Sequence, residues 1–241
     1  MQNKVHLIVT GGSDGLGYQI AEYYSNTVSK VTVIDKKNCK LKNIKFIKVD
    51  LSGNFQNKLL NKDNLFFTKI VIINSAVHRS KKIMLSENKK NLDKAFSVSV
   101  SSPFILFKEL IKQATKKKIY CKYINLSSVL SKIISPSQSI SYHLAKSGSS
   151  NLAKIFSVFF RSKYFTSVNI NLGYFSRKNF TNSGGKILKK HQKLSNNSTP
   201  TNFDDIIETI NYIVSSNNNY LNGSDISVDN GISQIEQFYI K

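Results

Sequence analysis

The chain has 241 residues, 40% of them hydrophobic and 11% aromatic, which suits one α/β domain with a sizeable core and excludes a disordered chain. No apolar run approaches the roughly 20 residues of a transmembrane helix, and the amino terminus lacks a signal-peptide cleavage site, so we expect a cytoplasmic protein without a membrane partner. The net charge of +21 suggests a nucleic-acid partner, but lysine and asparagine are abundant everywhere in the chain, which favours a compositional bias and no such partner.

The distribution of ionisable residues limits the chemistry further. Two cysteines and four scattered histidines have neither disulfide-framework nor metal-ligand spacing, so we expect no metal. From Leu110 through Phe203 there is no Asp or Glu, while lysine and arginine recur. The positive charge of this segment is therefore compatible with a substrate that is anionic or bound to an acidic carrier.

Apolar, β-branched runs alternate with helical patterns along the chain. The predicted strands are Lys4–Thr10, Lys30–Ile34, Lys45–Val49, Lys69–Asn74, Tyr120–Leu126, Ser167–Leu172 and Ser224–Val228. The predicted helices are Tyr18–Ser25, Asn91–Ala114, Ser141–Tyr164 and Asp204–Ser215. This alternation predicts a Rossmann-type α/β fold over residues 1–241: a doubly wound parallel sheet of about seven strands with helices on both faces.

One long irregular segment, Gly173–Asn202, is rich in Ser, Asn, Gly and Lys. It predicts a substrate loop that closes over the site. Its basic residues are Arg177, Lys178, Lys186, Lys189, Lys190 and Lys193.

A glycine turn follows the first strand, in the sequence TGGSDGLG, and leads directly into a helical pattern. Missing side chains let the backbone turn sharply and approach a pyrophosphate, which the helix N-terminus then binds. The predicted dinucleotide-binding residues of this turn are Gly11, Ser13, Asp14, Gly15, Leu16 and Gly17.

Asp35 ends the second strand, where a carboxylate can accept hydrogen bonds from the ribose hydroxyls of NAD and would repel a 2′-phosphate. Asp14 adds a second negative charge nearby. Lys36 and Lys37 have the opposite effect, since either can pair with a phosphate. NAD is the predicted cofactor, with NADP as the alternative.

A YxxxK sequence, Tyr142 to Lys146, begins the third helical pattern. On a helix this spacing places both side chains on one face, where an ammonium group lowers the pKa of a phenol and can also hold a ribose. Tyr142 could then exchange a proton with a substrate oxygen. Ser127 and Ser128 end the preceding strand, at the edge where α/β proteins bind ligands.

The TGxxxGxG spacing, the serines after INL and the YxxxK sequence together resemble the short-chain dehydrogenase/reductase family, in its short, single-domain, 3-oxoacyl-carrier-reductase-like branch. The resemblance implies that Ser128 polarises the substrate carbonyl, with Ser127 as the alternative residue for this role. It also implies that Ser99 replaces the asparagine of a water-linked proton relay.

Other matches to the family are implied contacts with the cofactor. Asp50 and Leu51 resemble the segment that contacts the adenine, Asn74-Ser75-Ala76 resembles the NNAG segment, and Gly173 lies beside the expected nicotinamide amide. Val77 in place of glycine and Leu172 in place of proline depart from the pattern.

The expected function is NAD(P)-dependent hydride transfer between nicotinamide and a small alcohol or carbonyl substrate, in a homodimer or homotetramer. The candidate substrates are 3-oxoacyl groups on an acyl carrier protein and sugars or similar polar metabolites. The alternative is a catalytically impaired member that binds a cofactor or nucleic acid, motivated by Ser99 and the net charge.

Overall fold

Seven parallel strands form one sheet in the computed structural model, which describes residues 4–55, 66–80, 86–136, 138–174, 201–217 and 219–234. The strands are β1 Val5–Thr10, β2 Lys30–Asp35, β3 Lys45–Lys48, β4 Lys69–Asn74, β5 Tyr120–Ser128, β6 Phe165–Leu172 and β7 Asp225–Val228. Their order in the sheet is β3-β2-β1-β4-β5-β6-β7. The first three strands form one half of the sheet and the last four the other half, so the strand order reverses between β1 and β4.

Helices connect the strands. They are α1 Gly15–Ser25, α2 Lys89–Phe96, α3 Ser102–Lys116, α4 Ile140–Phe159 and α5 Phe203–Ser215. A π-helical turn, Ser97–Ser101, joins α2 to α3. Within the described ranges, no helix is both long and apolar enough to cross a membrane.

The sheet separates two apolar cores because successive side chains of a strand point to opposite faces. On β1, Leu7 and Val9 pack with α1 and α5, whereas Ile8 packs with α3 and α4. Strand β4, with the sequence KIVIIN, is buried along its whole length. Helices therefore cover both faces, and the predicted doubly wound sheet is confirmed.

The predicted elements differ from the structure mainly at their ends. The predicted helix Asn91–Ala114 is three successive helical segments, because Pro103 has no N–H to donate to the carbonyl of Ser99 and the turn before it widens. Helix α1 begins at Gly15 rather than Tyr18, and α4 ends at Phe159 rather than Tyr164.

Candidate active site

A cavity of about 630 Å³ lies at the carboxyl edge of the sheet. Residues at or just after the carboxyl ends of β1 to β6 line it, so it spans the point where the strand order reverses. This is where open α/β sheets bind ligands, and the volume is in the range of small-molecule and cofactor sites.

The glycine turn packs tightly against the end of β4. Gly11 has a φ of +68°, and a Cβ there would lie 2.7 Å from the Cα of Ala76. A Cβ on Gly17 would lie 2.4 Å from the carbonyl oxygen of Gly11. Both positions therefore require glycine, for the turn and for its approach to the helix.

The N-terminus of α1 is available to a ligand. Its N-cap residue, Asp14, makes no capping hydrogen bond with its side chain. Gly15, Leu16 and Gly17, the first helical residues, line the cavity. Because first-turn N–H groups have no partner within the helix, this turn can hold the phosphates of a dinucleotide.

The end of β2 holds a carboxylate in a fixed orientation. Asp35 accepts hydrogen bonds from the backbone N–H groups of Ser13 and Lys37, each at 3.0 Å. Both neighbouring lysines are paired: Lys37 Nζ lies 2.8 Å from Asp14 and Lys36 Nζ lies 4.0 Å from Asp50. The hydrogen bond to Asp14 raises the pKa of Lys37.

Helix α4 places Tyr142 and Lys146 together at the other end of the cavity. Ser139 begins the helix by accepting a hydrogen bond from the Tyr142 N–H. Lys146 Nζ lies 5.9 Å from the centre of the Tyr142 ring and donates to the carbonyl of Leu126 at 2.6 Å. Burial, and secondarily the charge of Arg79, lower the pKa of Lys146 to about 7.

Two contacts tie the N-terminus of α4 to neighbouring loops. His143 Nδ1 lies 2.8 Å from the carbonyl of Leu130, in the segment after β5. Ser141 donates its hydroxyl to Glu87 at 2.6 Å, just before α2. Both contacts flank Tyr142 and hold the helix turn that carries it.

The two serines at the end of β5 have different surroundings, although both line the cavity. Ser127 donates to the carbonyl of Lys146 and accepts from Ser150, so its hydroxyl joins β5 to α4. Ser128 accepts from the N–H of Leu130 at 3.2 Å, and its own proton has no acceptor in the described part of the chain. Ser128 is thus the serine that can donate to a ligand.

Asn74 belongs to a chain of buried amides under the cavity. It accepts from the Thr10 hydroxyl and donates to Asn125, which in turn donates to Asn169. Residue by residue, these side chains are aligned across β1, β4, β5 and β6. Asn74 therefore supports the sheet edge rather than lining the cavity.

Ser99 lies in the π-helical turn, one residue after Val98, which lines the cavity. Its hydroxyl is buried and forms no hydrogen bond with any described residue. Ser99 itself is not part of the cavity lining, so its place in a relay stays a prediction.

The structure brings most of the predicted site residues to one cavity. Those that line it are Gly11, Asp14, Gly15, Leu16, Gly17, Asp35, Asp50, Leu51, Ser75, Ala76, Ser128, Tyr142, Lys146 and Gly173. Ser13, Asn74 and Ser99 are adjacent to the lining without forming it. The predicted loop 173–202 lies outside the described residues from position 175 to 200.

The two departures from the family pattern leave the backbone regular. In the described ranges the non-glycine residues with positive φ are Asn43, Lys118 and Asn230, so Val77 is unstrained. Leu172 packs in the core, and Gly173 donates to the carbonyl of Val228, which continues the sheet.

Sequence reasoning missed four polar residues of the lining: His78, Arg79, Gln138 and Tyr174. His78 and Arg79 follow β4, at the edge where ligand sites form, and this position alone is a signal for them. Arg79 Cζ lies 5.7 Å from the centre of the Tyr142 ring.

Comparisons with known proteins identify relatives of this chain. The profile of a family described as "Enoyl-(Acyl carrier protein) reductase" matches residues 65–233. The 3-oxoacyl-[acyl-carrier-protein] reductase FabG of Rickettsia prowazekii is 24% identical over 239 residues, covering 95% of this chain and 96% of that protein.

Solved structures show the same fold. A 4-hydroxyisoleucine dehydrogenase complexed with NADH has a TM-score of 0.81 at 22% identity, covering 97% of this chain and 100% of that chain. ElxO with NADP bound has a TM-score of 0.80 at 21% identity, covering 97% and 100%. With the family profile matching well over half of its length, the chain belongs to the short-chain dehydrogenase/reductase family of NAD(P)-dependent oxidoreductases.

Proposed function

We propose that this protein interconverts an alcohol and a carbonyl compound, with Tyr142 as the general acid and base. The observation that carries the proposal is the joint placement of Tyr142, Lys146 and the free hydroxyl of Ser128 at one end of a cavity whose other end is a dinucleotide-binding turn. One domain, residues 1–241, supplies both ends.

The residues at the end of the cavity formed by the glycine turn fit a nicotinamide dinucleotide. The uncapped N-terminus of α1 can hold its phosphates, and the oriented carboxylate of Asp35 can accept hydrogen bonds from the adenosine ribose. Asp50 and Leu51 would border the adenine of a bound dinucleotide, whereas Ala76 and Gly173 would border its nicotinamide. When bound, the cofactor supplies or accepts the hydride.

Proton transfer falls to Tyr142. In the reducing direction its hydroxyl donates a proton to the substrate oxygen, and in the oxidising direction its phenolate removes one. Ser128 donates a hydrogen bond to the same oxygen, which polarises the carbonyl. The ammonium form of Lys146 stabilises the phenolate.

Charges at the β2 end support NAD over NADP. Asp35 places a negative charge beside the ribose hydroxyls, and the two lysines that could attract a 2′-phosphate are already paired with Asp14 and Asp50. The relatives differ in this respect, since the dehydrogenase named above is complexed with NADH and ElxO has NADP bound.

A Tyr142→Phe variant tests the chemistry, because it removes only the ionisable oxygen. We expect turnover of alcohol and carbonyl substrates, followed at 340 nm, to fall by at least about 10²-fold, while NADH affinity measured by calorimetry is unchanged. The matched control is Tyr220→Phe, which removes the same atom from a tyrosine that is 90% exposed.

Two outcomes would contradict the proposal. Near-native turnover by Tyr142→Phe would rule out the proton-transfer role. Tight cofactor binding by a wild-type protein that turns over no carbonyl or alcohol in a broad panel would favour the impaired alternative, in which Ser99 fails to replace the relay asparagine.

A further inference from the structure

The two ends of the cavity differ in charge. The described carboxylates of its lining, Asp14, Asp35 and Asp50, lie at or after the ends of β1, β2 and β3, where Lys36 and Lys37 pair with two of them. The end that contains Tyr142 is lined by the basic residues Arg79 and Lys146 and by no described carboxylate.

Arg79 has no ion-pair partner within 4 Å among the described residues. Its guanidinium lies over the ring of Tyr142, with Cζ 5.7 Å from the ring centre. Its charge also contributes to the lowered pKa of Lys146, so the two basic groups beside the Tyr142 ring repel each other when both are charged. An anion bound there would relieve that repulsion.

His78 adds a second polar group beside Arg79. It lines the same cavity, and its Nε2 is buried without a hydrogen-bond partner in the described part of the chain. A buried polar atom of this kind is costly unless a ligand or water satisfies it.

We propose that Arg79, assisted by His78, binds a carboxylate of the substrate, and that the substrates are therefore small oxo acids and the corresponding hydroxy acids. A planar guanidinium binds a carboxylate with two parallel hydrogen bonds, which also fixes the orientation of the substrate. This inference rests on the proposed function, since it places the carbonyl of the same molecule at Tyr142.

The short distance from Arg79 to Tyr142 favours a small acid over a carrier-bound acyl chain. A carboxylate at Arg79 lies only a few bonds from a carbonyl that contacts the Tyr142 hydroxyl. On a carrier-bound 3-oxoacyl chain, the nearest fixed charge is the phosphate at the far end of the pantetheine arm, which is too distant to contact both residues at once.

The test compares acids with their neutral esters: 2-oxobutyrate, acetoacetate and levulinate against their methyl esters, in wild type, Arg79→Gln and Arg79→Lys. For the preferred acid we expect Arg79→Gln to raise KM by about tenfold or more, as expected for loss of a charge-assisted hydrogen-bond pair. KM for the methyl ester should not change, and Arg79→Lys should recover part of the loss.

Arg161→Gln is the matched control, because it removes the same charge just beyond the opposite end of the 20-residue helix α4, about 30 Å from Tyr142. Wild-type kinetics are expected for this variant with every substrate. An equal loss of kcat on acids and esters in Arg79→Gln would mean that Arg79 acts on the phenol and would overturn the inference.

A binding measurement separates this inference from the proposed reaction. We expect butyrate to bind the NADH-saturated protein more tightly than butyramide, and Arg79→Gln to remove that difference, whether or not any substrate turns over. The protein could instead reduce the esters or acetoacetyl-coenzyme A better than every acid, with kinetics that Arg79→Gln does not change. That result would leave the oxidoreductase proposal intact and overturn the carboxylate site.

Discussion

Lys146 lies in a buried environment that disfavours the charged form of its amine. It is buried in the wall of the cavity, with the carbonyl of Leu126 as its hydrogen-bond acceptor. Burial is the larger cause of its low pKa and the charge of Arg79 the smaller. Protonation of Lys146 therefore lowers the stability of the folded protein.

The pH dependence of stability follows from that pKa. In the folded protein Lys146 has a pKa of about 7, against 10.5 for an ordinary lysine, so the unfolded chain binds more protons between these values. Stability should therefore rise with pH across that window and be independent of this group below it. The shift corresponds to at most about 5 kcal/mol.

Lys146→Met tests this expectation, because it keeps the apolar stem and removes the charge. The free energy of unfolding, measured by urea titration from pH 6 to 10, should rise less with pH in the variant than in wild type. Burial also lowers the pKa of Lys122, to about 8. Its contribution to the pH dependence of stability is the same in both proteins and therefore cancels in the difference between them. An exposed-lysine control, Lys112→Met, should match wild type, and a pH-independent difference for Lys146→Met would contradict the lowered pKa.

Which residues are available for chemistry could be predicted only in part. The sequence places Ser127 and Ser128 at a strand end, yet only the contacts with Lys146, Ser150 and Leu130 decide which hydroxyl is free. Such contacts join segments that are distant in the chain, and no local pattern encodes them.

At the scale of elements, the β1–α1 turn and the end of β2 act as one unit. Ser13 orients Asp35 through its N–H, and Asp14 pairs with Lys37 across the gap. Lys37, which could bind a 2′-phosphate, is thus paired with the N-cap residue of α1. We therefore expect cofactor choice to depend on both turns together.

Asp14→Asn should narrow the preference for NAD(H) over NADP(H), because it frees the Lys37 ammonium. Both groups are mostly exposed, so solvent limits the effect to about three- to tenfold in the ratio of the two dissociation constants. Calorimetric titration with NADH and NADPH measures it, and Asp35→Ala should narrow the gap further.

Asp93→Asn is the control for that experiment, since it breaks a similarly exposed pair with Lys89 on α2. It should leave both affinities unchanged. Tighter NADPH than NADH binding by the wild-type protein would show that Lys36 or Lys37 attracts the phosphate despite its partner.

The π-helical turn shows what element patterns miss. Apolar periodicity runs through residues 91–114 without a break, so it predicts one helix. Pro103 interrupts the backbone hydrogen bonds, and the wider turn that results holds the buried Ser99 hydroxyl. A single proline inside a periodic pattern indicates such a distortion, but its type depends on packing against α4.

At the scale of the molecule, the sheet was predictable because its strands are short, continuous apolar runs separated by helical patterns. The amide chain across it was not predicted, although each of its asparagines ends or interrupts such a run. It extends from Thr10 to Asp225, where Asn169 and Asn171 both donate to the carboxylate. Asp225 is also paired with Lys132 and Lys154, at 3.4 and 3.6 Å.

Exposed apolar side chains lie on two adjacent helices, α3 and α4. Stacking of Phe104 on Phe156 joins α3 to α4. The exposed apolar residues of this α3–α4 face are Phe104, Ile105, Leu144, Ile155, Val158 and Phe159, with Phe159 80% exposed. Such a patch on a protein of high net charge indicates an interface, and we predict that a second copy of the chain covers it through a twofold contact.

Ile155→Glu combined with Val158→Glu should dissociate this dimer, because each substitution places a carboxylate in the apolar contact, where desolvation costs several kcal/mol. The mass in solution, from light scattering during gel filtration, should fall from that of a dimer or tetramer toward the 27.2 kDa of one chain. Circular dichroism should show that the variant remains folded, since both side chains are exposed in the isolated chain.

Tyr212→Glu is the control: it changes an exposed aromatic residue on α5, on the opposite face of the sheet, and should leave the mass in solution unaltered. A wild-type protein that is monomeric at every concentration would refute the dimer, and an oligomer that survives the double substitution would place the interface elsewhere.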